Sequence, residues 1–156
     1  MFTRSSLICL IMFLVSCSST KPLPEPQTMT RTEYIEINYK MQPHIKKAKE
    51  SLPYAKDKYL RGLKDGEKMF LTVKLYDHDK SFEQLEVAVV DWYENSILGR
   101  ISSQVFVLQN YHQGDLINFT DDNVVDWTIV RSDGTFEGGY VRKFLKSCGS
   151  KKLGHR

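Results

Sequence analysis

Cysteine is scarce in this 156-residue chain: there are three, Cys9, Cys17 and Cys148, and two of them fall in the first seventeen residues. That excludes a disulfide-stapled scaffold, and scattered cysteines give no paired spacing for a structural zinc site. Long apolar runs are missing as well. The longest, residues 7–15, has nine residues and rises about 14 Å as a helix, against roughly 30 Å of bilayer hydrocarbon. A strong charge of one sign is lacking too: 22 Lys+Arg against 19 Asp+Glu gives +3, too near neutral to argue for nucleic acid. Proline is sparse, and three of the five prolines sit at positions 22, 24 and 26. With 41% hydrophobic and 26% charged residues, one folded unit is expected.

What is present begins with an address. Arg4 followed by the nine-residue apolar run has the form of a signal peptide, assigned here to residues 1–16. Leu14-Val15-Ser16-Cys17 then resembles the bacterial lipobox. The resemblance implies cleavage before Cys17, lipidation of that cysteine, and a membrane partner reached through covalent lipid. Two or three acyl chains at about 0.8 kcal/mol per buried CH₂ make such an anchor effectively permanent. By resemblance to Gram-negative lipoproteins, Ser18 at the second mature position, where an aspartate would imply retention, implies sorting to the outer membrane facing the periplasm. After processing only Cys148 remains, so no internal disulfide is expected.

Residues 17–33 read as a lipidated tether, since alternating proline forbids helix and favours an extended spacer. Residues 34–146 are assigned to a single domain and 147–156 to a basic tail. Within 42–64, Ile45, Ala48, Leu52, Ala55, Tyr59 and Leu63 step by three and four, the mark of an apolar helical stripe. A break is expected at Pro53, opening a second short helix, and Gly66 suits a C-terminal cap. The other face carries Lys46, Lys47, Lys49, Lys56, Lys58, Arg61 and Lys64. It reads either as a solvated face or as a contact for anionic lipid or an acidic partner, with Lys46 and Lys49 as candidate interaction residues.

Beyond Gly66 the period falls to two. Met69, Leu71, Val73 and Leu75 alternate with polar or aromatic neighbours, which predicts a half-buried strand. Further strands are expected at 85–92, 97–101, 105–108, 116–119, 124–130 and 135–144. The fold class is therefore α+β, an N-terminal helical segment packed on a bent antiparallel β-meander of about five to seven strands.

Gly114-Asp115, Val124-Val125-Asp126-Trp127, Asp133-Gly134 and Gly138-Gly139-Tyr140 follow in order after the Ala48/Leu52-Pro53 helix and Gly99-x-Ile101. This wording, over about residues 41–145, resembles the bacterial domain of unknown function 2314, the YegJ-like proteins. The resemblance implies a fold and carries no activity with it. Read physically, Asp126 suits a loop pin that accepts backbone N–H groups, and Trp127 suits the core; the alternative is that both serve as an interaction site.

The sequence shows no nucleophile elbow, phosphate loop or zinc motif. No cofactor, metal site or catalytic residue is assigned. Asp121, Asp122, Asn123 and Asp126 form an acidic patch without calcium-loop spacing. The leading expectation is a non-catalytic periplasmic binding module with a protein partner, an immunity-type protein being one version. The alternatives are a hydrolase built around Asp121, Asp126 and His112, or a structural envelope lipoprotein.

Overall fold

The computed structural model describes residues 31–153; the signal segment, Cys17 and the proline-rich stretch lie outside the described residues. A 30-residue helix, α1 (Arg31–Leu60), is followed by strands β1 (Lys68–Tyr76), β2 (Phe82–Tyr93), β3 (Ser96–Ile101) and β4 (Leu116–Thr120). A single 3-10 turn at Asp121–Asn123 leads to β5 (Val124–Val130), β6 (Phe136–Gly138) and a second helix, α2 (Tyr140–Leu153). The six strands form one antiparallel sheet in the order β4-β3-β2-β1-β5-β6. Four strands run as a meander, and the β5–β6 hairpin joins at the free side of β1. The α+β class, with the N-terminal helix packed on the sheet, is as expected.

The alternation in β1 sets the core. Met69, Leu71, Val73 and Leu75 are buried, opposite Val87 and Leu85 of β2 and Trp127 and Ile129 of β5. Onto this face α1 lays Ala48, Leu52 and Ala55, where two alanines let the helix backbone approach closely. Trp127 is 2% exposed. Its ring packs against Tyr54 and Tyr140, and its indole Nε1–H donates to Ser51 Oγ at 2.9 Å. The buried indole thus keeps a partner for its polar atom.

Four local expectations are corrected. First, α1 does not break at Pro53; both Pro43 and Pro53 lie inside one helix. Each removes one helical hydrogen bond, and both prolines lie on the exposed side of the helix. Burial of Leu52 and Ala55 on either side of Pro53 holds the helix together. Second, the helix ends at Leu60, not near Gly66. Gly62, at φ +96°, turns the chain and donates its N–H to the Tyr59 carbonyl. Leu63 packs against the core from the loop, which is why its spacing imitated another helical turn.

Third, residues 105–108 form no strand. The Glu83 carboxylate accepts the N–H groups of Phe106, Val107 and Leu108, and Asp77 accepts from the Gln109 N–H and the Asn110 amide. Backbone donors that a neighbouring strand would have satisfied are taken by carboxylates, and Leu108 is thereby pressed into the core. Fourth, the strand expected at 135–144 stops at Gly138. Gly138 and Gly139 have φ of +75° and +65°, and a Cβ at Gly138 would lie 2.4 Å from the Trp127 carbonyl oxygen. Only glycine fits there, and the chain leaves the sheet to enter α2.

Two substitutions test this framework. Trp127→Ala is expected to cost about 3–5 kcal/mol, read as a large drop in melting temperature; an unshifted melt would show that the indole is not a core element. Glu137 on β6 accepts from Lys58 Nζ at 2.7 Å and from the Tyr54 hydroxyl at 2.8 Å, tying the sheet edge to α1. These two hydrogen bonds hold its carboxyl below the usual range. A depressed folded pKa contributes stability above the unfolded value, and that stability is lost as pH falls through the folded value. Glu137→Gln is therefore expected to cost about 1 kcal/mol at neutral pH, and the gap should close in acid. Denaturation curves along a pH series read both features, and a gap that persists in acid would contradict the assignment.

Candidate functional site

Among the described residues the most buried ionisable side chain is Asp126, at 1% exposure. A bulge puts it there: Thr72 pairs with Asp126 but Val73 pairs with Val124, so Val125 is extra. The bulge turns Val125 toward Met41 and Val141, in a small second core between the helices. Asp126 is left facing the start of α2. Its Oδ1 accepts the N–H groups of Trp127 and Tyr140, both at 3.0 Å. Its Oδ2 accepts those of Val141 at 2.9 Å and Arg142 at 3.1 Å.

The first three amides of α2 therefore find their acceptor fourteen residues upstream, on a strand. Gly139, just before the helix, has no side chain with which to cap it. Burial pushes the Asp126 carboxyl up from its usual range, while the four backbone donors pull the other way. With each oxygen accepting two bonds, the chemistry open to Asp126 is structural: it pins α2 to the sheet.

That placement creates a groove. The sheet face turned away from α1 presents Thr72, Gln84, Glu86 and Thr128, and α2 stands over it with Val141, Arg142 and Leu145. The space holds about 460 Å³. Arg142 reaches from the helix wall to Glu86, Nη1 to Oε2 3.5 Å, and the Glu86 carbonyl accepts from Ser102. Hydroxyl and amide groups line its floor and one ion pair braces its wall. Beyond Gln84 a second groove of about 250 Å³ continues past Lys74 and Asn123 to the N-terminal half of α1, where Asn38, Gln42 and Lys49 line it.

Residues singled out from the sequence end up apart. Asp126 and Trp127 point to opposite sides of β5, one to α2 and one to α1. Lys49 is exposed beside Asp122, and Lys46 lies on the solvent side of α1, 3.8 Å from Glu50. The three residues of the hydrolase alternative are not brought together. His112 sits 3.5 Å from Asp115 in the β3–β4 loop, Asp121 sits 3.6 Å from Lys56 under α1, and Asp126 caps α2. Among the described residues no three His, Cys, Asp or Glu side chains cluster as metal ligands. Missed by sequence reading were Glu83, Asp77 and the groove residues Thr72, Gln84, Glu86 and Thr128. The signal was the polar half of the strand alternation, read only as a solvent face.

A bulged β1–β5 pair that caps the C-terminal helix defines the molecule as a small α+β domain of one sheet and two helices. The family described as "Uncharacterized protein conserved in bacteria (DUF2314)" matches residues 38–153, and the chain belongs to it. No curated protein and no solved structure matches the chain.

Asp126→Asn tests the pin. The amide oxygen can serve two of the four donors and its NH₂ opposes the others, leaving two buried N–H groups unpaired at about 1–3 kcal/mol each. A lower melting temperature is expected, with faster amide exchange concentrated in residues 140–147. An unchanged melt would remove Asp126 from this role.

Proposed function

We propose that this chain is a lipid-anchored binding module of the bacterial envelope, held by Cys17 in the outer membrane and presenting the groove between α2 and the open sheet face to a peptide segment of a partner protein. The anchor rests on the lipobox wording Leu14-Val15-Ser16-Cys17 after a short apolar run. The observation that carries the binding half is the composition of the groove. Thr72, Thr128 and Gln84 supply hydroxyl and amide groups that match peptide N–H and C=O, while Val141 and Leu145 supply an apolar wall. Of its charged side chains Glu86 and Arg142 face each other and Lys146 stands on the α2 side, while the buried carboxylate of Asp126 is saturated with backbone donors. Orientation and shape are what such a groove offers a ligand.

One experiment reads both halves. A photo-crosslinking amino acid is placed at Gln84 in the cellular protein, with and without Cys17→Ser, and cells are fed labelled palmitate. Label in the parent chain and none in Cys17→Ser is expected, with a discrete crosslinked adduct at Gln84 and none from the same probe at Ser132. Equal label in both chains would overturn the anchor. Indistinguishable adduct patterns at the two positions would overturn the groove.

A further inference from the structure

The N-terminal half of α1 and all of α2 lie antiparallel. Lys47 sits over the Tyr140 ring at 5.3 Å, and His44 stacks on Phe144 at 4.7 Å. As numbers rise along one helix they fall along the other. The start of α1 and the end of α2 therefore meet at one end of the molecule. From that end, thirteen residues lead back to Cys17, and the basic C-terminal residues lead out.

Between the helices runs a groove of about 460 Å³ lined by Pro43, His44, Lys47, Tyr140, Lys143 and Phe144, none of them acidic. Lys47 and Lys143 lie over aromatic rings, Tyr140 and Phe136 in turn, and neither forms an ion pair among the described residues. The charge imbalance extends along the chain. From Gly138 to Arg156 there are six basic residues, Arg142, Lys143, Lys146, Lys151, Lys152 and Arg156, and no acidic one. Two to three turns nearer its start, α1 leaves Tyr39 80% exposed and Ile35 57% exposed, one turn apart. A helix pair that carries exposed tyrosine and isoleucine along with lysines over aromatic rings has the chemistry of a bilayer interface. There, amphipathic rings settle at headgroup depth and ammonium groups meet phosphate.

We infer that the α1–α2 pair docks on the surface of an anionic phospholipid bilayer, with lipid phosphates seated between Lys47 and Lys143. A bilayer suits this surface better than an acidic protein, because the helix pair that carries the two lysines runs on past the exposed Tyr39 and Ile35 to the end from which the chain leads back to its lipid-attachment cysteine. The inference rests on the anchored reading only for how often the surface meets the membrane. A tether of thirteen residues, about 40 Å when extended, keeps the domain at high effective concentration over the headgroups, so a weak surface suffices. Each lysine near an anionic surface contributes about fivefold to partition, roughly 1 kcal/mol.

Amide exchange on the whole chain reconstituted with vesicles tests it. Phosphatidylglycerol-containing vesicles are expected to protect residues 35–47 and 140–148, and pure phosphatidylcholine vesicles are not. Added salt should reverse the protection, and Lys47→Ala with Lys143→Ala should reduce the docked fraction about 25-fold, two lysines at about fivefold each. Lys64→Ala with Lys80→Ala serves as a charge-matched control and should change nothing. Equal protection in the two lipids, or protection that survives the double substitution, would overturn the inference. Equal protection by inorganic phosphate alone would overturn the bilayer in favour of a soluble anion. If Cys17 proves unlipidated, the chain mixed freely with the same vesicles gives the same readout, so failure of the anchor and failure of this surface are read separately.

Discussion

The architecture turns on one carboxylate. Asp126 takes the N–H groups of Tyr140, Val141 and Arg142 together with that of Trp127, and so joins β5 to the start of α2. A buried carboxylate costs several kcal/mol to desolvate, and it is tolerated where charge-assisted hydrogen bonds and a helix N-terminus meet it. All of these are present at Asp126. Without that meeting point α2 would have only a short apolar stripe, centred on Val141 and Phe144, to hold it against α1.

From this pin follow the two surfaces of the molecule. One side of α2 stands over Thr72, Gln84, Glu86 and Thr128 and closes a polar groove on the sheet. Its other side lies against α1 and makes the cationic, aromatic groove of Lys47, Tyr140 and Lys143. Both surfaces are products of where the C-terminal helix is fastened. The α1-facing side of the sheet is closed instead by α1 and by the loop held on Glu83 and Asp77, so the two faces carry different chemistry: apolar packing on one, hydroxyls, amides and a braced ion pair on the other.

Much of the scaffold was legible from local pattern. The alternation of Met69, Leu71, Val73 and Leu75 placed β1, and the stripe through Ala48, Leu52 and Ala55 placed α1. Errors came where a local rule met a tertiary contact. Pro53 argues for a break in an isolated helix, yet buried neighbours on both sides hold α1 continuous. Residues 105–108 have the apolar content of a strand, but two distant carboxylates took their amides. Residues 135–144 were read as a strand, and the outcome lay with an aspartate that takes the first amides of α2.

By itself, then, the sequence determined the class of fold, the core face of the central strands and the placement of Trp127, because these depend on side-chain period and burial. It also carried the lipobox wording that motivates the proposed anchor. Only the tertiary structure decided what Asp126 does, that α2 exists as a helix, and which polar residues share a groove. Those outcomes depend on hydrogen bonds and contacts between positions far apart in the chain, set by a single bulge at Thr72 and Val73. A residue type and its spacing do not encode which distant amide it will meet.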